Sequence, residues 1–120
     1  MIDGDTFYLE NGERVRLIGI DAPEYEPWKG RIDFYGRAAA VYAQKWLTGK
    51  KVTLEEDAEE KDKYGRTLAY VYLQDGTFVN LELVKQGYAR AKYYRPNGKH
   101  YKILKDAEKE AKNFKKGVWH

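Results

Sequence analysis

Apolar and polar positions alternate on both sides of the Asn11-Gly12 pair. Phe7 to Leu9 precede it and Arg14 to Asp21 follow it, with Val15, Leu17, Ile18 and Ile20 as strand-forming side chains. Asn-Gly readily takes the backbone angles of a tight turn. Phe7–Leu9, the turn Glu10–Glu13 and Arg14–Asp21 are therefore expected to form a β-hairpin. Pro23 ends the second strand, and Tyr25 to Ile32, with Pro27 and Gly30 among charges, is expected to be an exposed loop.

From Phe34 the period changes. Phe34, Ala38, Val41, Tyr42, Trp46 and Leu47 recur at spacings of three and four, which predicts an amphipathic helix over 34–47 that Gly49 would stop. Lys51–Glu56 and Leu68–Leu73 read as strands, with a polar loop Asp57–Arg66 between them and a turn at Gln74–Thr77. Asn80 is placed to cap a short helix that Gly87 terminates. A last helix from about His100 to Lys115 sets Ile103 or Leu104, Ala107, Ala111 and Phe114 on one side. Short strands enclosing a helix, with further helices after them, predict one small α+β domain, mainly β, over residues 1–120 with a barrel core. The segment ahead of Asp3 leaves room for almost no leading strand. The expectation is a truncated chain or a barrel completed by another segment, by strand exchange, since an open edge is a liability.

Composition narrows the picture. At 120 residues, 42% of them hydrophobic and 15% aromatic, the chain can bury a single core and is not a disordered tail. It contains no cysteine, which excludes disulfides and thiolate metal sites. No apolar run reaches the roughly 20 residues of a membrane span. The first motif begins by Ile2, and no signal peptide is expected ahead of it. The net charge of +3 hides a split: from Lys85 onward eleven Lys/Arg face three Asp/Glu, a local +8, and the remainder carries −5. That asymmetry fits either an anionic partner at the C-terminal third or a solvated basic helix face.

Two short islands carry the candidate chemistry. The first holds Asp5, Arg16, Asp21 and Glu24; the second, Asp62-Lys63-Tyr64-Gly65-Arg66, holds Arg66. Oxygen ligands without nearby His or Cys favour a hard ion such as Ca²⁺ or Mg²⁺ over zinc. Asp5 and Asp21, sixteen residues apart, flank the hairpin, and its ends can hold both carboxylates around one cation. No ladder of ligands follows Asp3-Gly4-Asp5 at the spacing of an EF-hand loop, so that reading is rejected. Glu24 stands where a carboxylate could accept a proton from a water or orient it for in-line attack. Arg16 and Arg66 can bind phosphate oxygens bidentately and stabilise a pentacoordinate dianion. Arg16 lies five residues before Asp21, an odd separation that puts the two on opposite faces of a regular strand. Convergence needs a bulge, and Gly19 is its natural place.

The remaining candidates read as structure. Asp3 serves a turn, Tyr70 and Tyr72 share a packing face, and Trp46 and Trp119 are core or staple residues. Tyr25 and Trp28 are expected to pack over the barrel rather than to contact bases. His100 and His120 lack a ligand-spaced partner. The lysines of the last helix form a solvated face that adds salt-sensitive attraction for nucleic acid.

The strings IDGDTF, VRLIGIDAPE, DKYGRTLAYVY, FVNLELVKQGYA and YYRPN run in unbroken order over essentially the whole chain and resemble the staphylococcal nuclease family. The resemblance implies a five-stranded oligonucleotide/oligosaccharide-binding barrel with three helices. It implies a Ca²⁺-dependent enzyme, secreted or at the cell envelope, that cleaves single-stranded DNA and RNA to 3′-phosphates; a monomer is expected, with a strand-exchanged oligomer as the alternative. By resemblance Asp5 and Asp21 are the carboxylate ligands of Ca²⁺, with the backbone carbonyl of Ala22 as a third. Glu24 is the general base or water organiser, and Arg16 and Arg66 are the phosphate-binding arginines. Lys63, Tyr64, Tyr93 and Tyr94 match residues around the bound nucleotide, with one residue fewer between Gly87 and Pro96 than in the type enzyme. Two other functions stand beside this one. A non-catalytic nucleic-acid-binding barrel typically lacks one or more of the five positions that are all present here, and a protein-interaction module would not bind polynucleotide at low salt.

Overall fold

The turn at Asn11-Gly12 closes as its residues dictate, and a computed structural model describes residues 4–23, 25–26, 30–32, 35–93 and 95–119. The elements are β1 (Thr6–Tyr8), β2 (Arg14–Leu17), β3 (Ile20–Asp21), β4 (Tyr25–Glu26), β5 (Arg31–Ile32), α1 (Gly36–Leu47), β6 (Val52–Glu55), β7 (Thr67–Leu73), α2 (Val79–Lys85), β8 (Arg90–Ala91) and α3 (Tyr101–Asn113), followed by a 3-10 turn Gly117–Trp119. Strands β1 and β2 pair antiparallel with Thr6 opposite Arg16; β2 then runs parallel to β7, and β7 pairs antiparallel with β6. The resulting mixed sheet has the order β1-β2-β7-β6, with β3-β8 and β4-β5 as separate two-stranded ribbons. This is the expected α+β architecture with three helices. Among the described residues the sheet has β1 and β6 at its edges and no closed five-stranded barrel is seen.

The hairpin's second strand is shorter than its apolar run suggested. β2 stops at Leu17, the chain turns at Ile18 and Gly19, and β3 leaves the sheet to pair with β8, Asp21 lying opposite Arg90. Gly19 takes φ +83°, and a Cβ there would stand 2.5 Å from Leu104 Cδ1. Only glycine satisfies both the backbone angle and the approach of α3.

Helix α1 forms where the period predicted it, but its buried face is different. Ala39, Ala40, Ala43 and Leu47 are buried, whereas Ala38 is exposed and Val41 is 52% exposed. The reason is proximity: a Cβ on Gly4 would come within 2.7 Å of Ala22 Cβ and 3.2 Å of Ala39 Cβ. The helix lies so close to the segment around Asp5 and Ala22 that only methyl groups fit between them. Its bulky residues pack on the flank, with Tyr42 stacked on Tyr88 at 4.1 Å and edge-on to Trp46 at 6.3 Å.

Asn80 is not a helix cap. It lies in the first turn of α2, fully buried, and Phe78 precedes the helix without a side-chain cap. Asn80 Oδ1 accepts from Val71 N at 2.9 Å and Asn80 Nδ2 donates to Ile18 O at 2.8 Å, so one amide joins α2, β7 and the end of β2. On α3 the choice between Ile103 and Leu104 falls to Leu104, which is buried while Ile103 is 50% exposed. Phe114, expected on the buried side, is the C-cap residue and is 69% exposed. It stands beyond the last turn that packs.

Tyr70 and Tyr72 do pack, around Phe78 and His100. The buried Tyr70 hydroxyl donates to Asp57 Oδ2 at 2.7 Å, and His100 Nε2 lies 2.7 Å from Glu55 Oε1. His100 thus clasps the N-terminus of α3 to the sheet. Trp119 is half-buried between Arg90 and Lys112, 5.0 and 4.6 Å from the ring centre, and Trp46 is likewise half-buried. Among the described residues no helix is long and apolar enough to cross a membrane.

Two outcomes follow. Asn80→Ala leaves Val71 N–H and Ile18 C=O buried without their partner and should lower unfolding stability by about 3 kcal/mol in urea titration. The hydrogen bond from His100, aided by that from Tyr72 and by Lys99, outweighs desolvation and holds the Glu55 carboxyl below its ordinary value. A carboxylate lowered on folding stabilises above its unfolded value, about 4.3, and loses that contribution as pH falls toward the folded one. Acid unfolding curves should therefore be shallower in Glu55→Gln than in the parent chain.

Candidate active site

The hairpin and the break at Gly19 bring three charged groups of the first island together. Asp5, in the turn before β1, is buried; its Oδ2 accepts from Ala22 N at 2.9 Å and its Oδ1 from Thr6 Oγ1 at 3.2 Å. Arg16 is also buried and alternates along β2 with the core residues Val15 and Leu17. Its Nη1 donates to Leu17 O at 2.8 Å and to Ile20 O at 3.0 Å. Its Nη2 lies 3.5 Å from Asp5 Oδ2 and 4.0 Å from Asp21 Oδ1. The chain from Leu17 to Asp21 is wrapped around one guanidinium, which settles the odd separation of Arg16 and Asp21. Asp21 itself keeps a half-exposed side chain.

The second island supplies Arg66 through a self-organised loop. Asp62 Oδ1 accepts from Tyr64 N and Arg66 N, each at 2.9 Å, and Asp62 Oδ2 accepts from Arg66 Nε at 2.6 Å. Burial opposes the ionised carboxylate, but these hydrogen bonds outweigh it and hold the Asp62 carboxyl below its usual range. Arg14 Nη2 donates to Tyr64 O and Thr67 Oγ1 to Glu13 Oε2, tying this loop to the hairpin. The register does the rest. Arg16 pairs with Leu68 in the parallel β2–β7 ladder, so Arg66, two residues before Leu68, continues the face that carries Arg16. Both arginines line a cavity of about 410 Å³ together with Lys63, Tyr64, Arg95 and Asn97.

Lys63 and Tyr64 are exposed at this cavity, and the Lys63 ammonium stands 5.2 Å from the Tyr64 ring centre. Tyr93, half exposed, packs over Gly98 and lies 5.4 Å from the Tyr101 ring, beyond the cavity lining. Glu24 and Tyr94 lie outside the described residues, as do Asp3, Trp28 and His120.

The first island suits an oxygen-preferring divalent cation. Asp5, Asp21 and the Ala22 carbonyl are hard donors, and both carboxylates stand within 4.0 Å of the same guanidinium nitrogen. Among the described residues no three His, Cys, Asp or Glu side chains form a cluster of their own, so phosphate oxygens and water would have to complete the six to eight ligands of such an ion. Sequence reasoning missed two positioning residues. Asp62 could have been found as an Asp opening a turn with Gly three residues on. Glu108, buried on α3, accepts from Ala91 N at 2.8 Å and from Lys105 Nζ at 2.7 Å and so anchors β8, the partner of Asp21's strand. One of three acids on a lysine-rich helix, it carries no local sign of that task.

The loop geometry has a direct readout. The Arg66 Nε–H should stay protected from exchange in NMR spectra as pH falls below the ordinary carboxylate range, and Asp62→Asn should abolish that protection.

A sequence profile of the staphylococcal nuclease homologue family matches residues 14–120. The chain is 48% identical to a thermonuclease of Staphylococcus intermedius and 43% identical to one of Staphylococcus hyicus, in each case over 99% of this chain and 72% of the relative. It is 40% identical to the SPbeta prophage-derived endonuclease YokF of Bacillus subtilis (strain 168), over 98% of this chain and 41% of that protein. With its hairpin, arginine cleft and paired carboxylates, the chain belongs to the staphylococcal nuclease family.

Proposed function

We propose that this chain is a Ca²⁺-dependent phosphodiesterase that hydrolyses single-stranded DNA and RNA, leaving 3′-phosphates. One observation carries the reading: Arg16 and Arg66 line one cavity, and Arg16 sits against both carboxylates. Two fixed cations beside two acids can hold a phosphodiester and stabilise its more highly charged transition state. The thermonuclease names of the relatives point the same way.

Asp5, Asp21 and the carbonyl of Ala22 would hold the ion. When bound, it supplies positive charge to a phosphate oxygen and lowers the cost of attack by water. Glu24 accepts the proton of that water or orients it in line with the leaving oxygen. Arg66, presented by Asp62, and Arg16, presented by β2, donate to the non-bridging oxygens as charge builds on phosphorus. Lys63 and Tyr64 receive the neighbouring nucleotide, with Tyr93 and Tyr94 beside a base. The same reading places β1 and β6 in a five-stranded oligonucleotide/oligosaccharide-binding barrel. It makes 1–120 one monomeric domain acting outside the cell or at its envelope. The lysines of α3 add long-range attraction, which makes polynucleotide affinity fall steeply with salt.

The test is degradation of denatured DNA. Cleavage should require Ca²⁺ and stop in EDTA, and Glu24→Gln and Arg66→Gly should each lower kcat by about 10²- to 10³-fold with the fold intact. Tight binding without cleavage in any divalent ion would instead make the chain a nucleic-acid-binding module.

A further inference from the structure

Helix α3 sorts its charges by flank. Leu104, Glu108 and Ala111 are buried along its inner ridge. On one side of that ridge Lys105, Lys109 and Lys112 follow at spacings of four and three, while Asp106 and Glu110 stand on the other side. The lysine flank is the one that lies toward β8. Glu108, at its inner border, accepts from Lys105 Nζ at 2.7 Å and from Ala91 N at 2.8 Å, which seats the lysine row against that strand. In turn β8 pairs with β3, Arg90 directly opposite Asp21. Residues opposite each other in an antiparallel ladder share a face, so the exposed Arg90 stands on the same side of this ribbon as Asp21.

Trp119 joins the helix to the ribbon. Its half-buried ring has the Lys112 ammonium 4.6 Å and the Arg90 guanidinium 5.0 Å from its centre, so one aromatic side chain holds both heads. Lys105, Lys109, Lys112 and Arg90 thereby make one line of cations that ends beside Asp21. Residues one turn apart on a helix are about 5–6 Å apart at Cβ, comparable with the separation of successive phosphates on an extended strand. Phe114, the most exposed of the large apolar side chains described, stands one turn beyond Glu110, on the acid flank. A lipid surface would favour an apolar side chain among the lysines; an extended polyanion needs only the row itself.

We propose that Lys109, Lys112 and Arg90 form a track on which a single-stranded polynucleotide continues past the carboxylate side of the site, outside the arginine-lined cavity. Affinity then grows with strand length beyond the nucleotides that the cavity holds. This rests on the polynucleotide substrate proposed above and adds an accessory binding surface to it.

The experiment measures binding by calorimetry in EDTA, where no turnover is needed. The ligands are a trinucleotide and an oligothymidylate of about 20 nucleotides, long enough to reach both surfaces. The full chain is compared with Lys109→Gln/Lys112→Gln and with Lys45→Gln/Lys51→Gln, which removes the same charge from exposed positions on α1 and before β6. For Lys109→Gln/Lys112→Gln, affinity for the long strand at low salt should fall about tenfold, and its slope against log salt should become shallower by about 1.4, about 0.7 for each phosphate contact. Trinucleotide affinity should stay within about twofold, and the Lys45→Gln/Lys51→Gln chain should lose less than about twofold on either ligand. Equal losses in the two double variants would reduce the track to diffuse attraction and overturn it, as would an unchanged slope or equal losses on both ligands. Binding to phosphatidylglycerol vesicles through the same two lysines, without binding of the long strand, would overturn it in favour of a lipid surface. A chain that fails to cleave denatured DNA loses the nuclease reading and leaves the track to the slopes; one that cleaves with equal slopes in both double variants loses only the track.

Discussion

One guanidinium organises the half of this molecule that carries the hairpin and its acids. Arg16 is buried in the strand next to the hairpin turn, and burying a charge is costly unless it is paired and hydrogen-bonded. Here the carbonyls of Leu17 and Ile20 and the carboxylates of Asp5 and Asp21 surround it. The segment between Leu17 and Asp21 therefore curls around the side chain rather than continuing as strand. That curl frees β3 to pair with β8 and leaves Asp21 at the surface beside Asp5. Removing the arginine would leave two acids and two carbonyls facing each other, so stability and site geometry depend on the same residue.

Around this centre, small and apolar groups set the distances. Gly4, Ala22 and Ala39 touch through methyl-sized gaps, which brings α1 against the turn that carries Asp5. Gly19 admits Leu104 at the break in the hairpin. Asn80 satisfies backbone groups of β7 and of the turn after β2 at once and so ties α2 to both. Each contact joins segments far apart in sequence, and each fails if a single side chain grows.

Much of this was legible in the chain. The hairpin, the strands β6 and β7 and all three helices follow from alternation, period and turn residues, and the two islands mark the residues that the fold brings to Arg16 and to the cavity it shares with Arg66. What escaped had a common cause. The face of α1 was misassigned because hydropathy weights Tyr42 and Trp46 above alanines, whereas contact distance selects alanine. Asn80 looked like a cap because its partners, Val71 and Ile18, lie far from it in sequence, in β7 and in the turn after β2. Phe114 was counted with the packed side because periodicity takes no account of where a helix ends. Asp62 and Glu108 act through other residues, and a local pattern records what a side chain is rather than what it holds in place.

The bond from Ala91 to Glu108 has a consequence for how the molecule comes into being. Asp5, Arg16 and Asp21 are made well before α3, whose Glu108, the anchor of the strand beside Asp21, is translated some ninety residues after them. At typical elongation rates that interval is on the order of ten seconds. During it the nascent chain displays its acids and arginines without the helix that sets them in register. Assembly of the site is thereby deferred until α3 has been made, and a nascent chain that has not reached that helix does not yet possess the finished site.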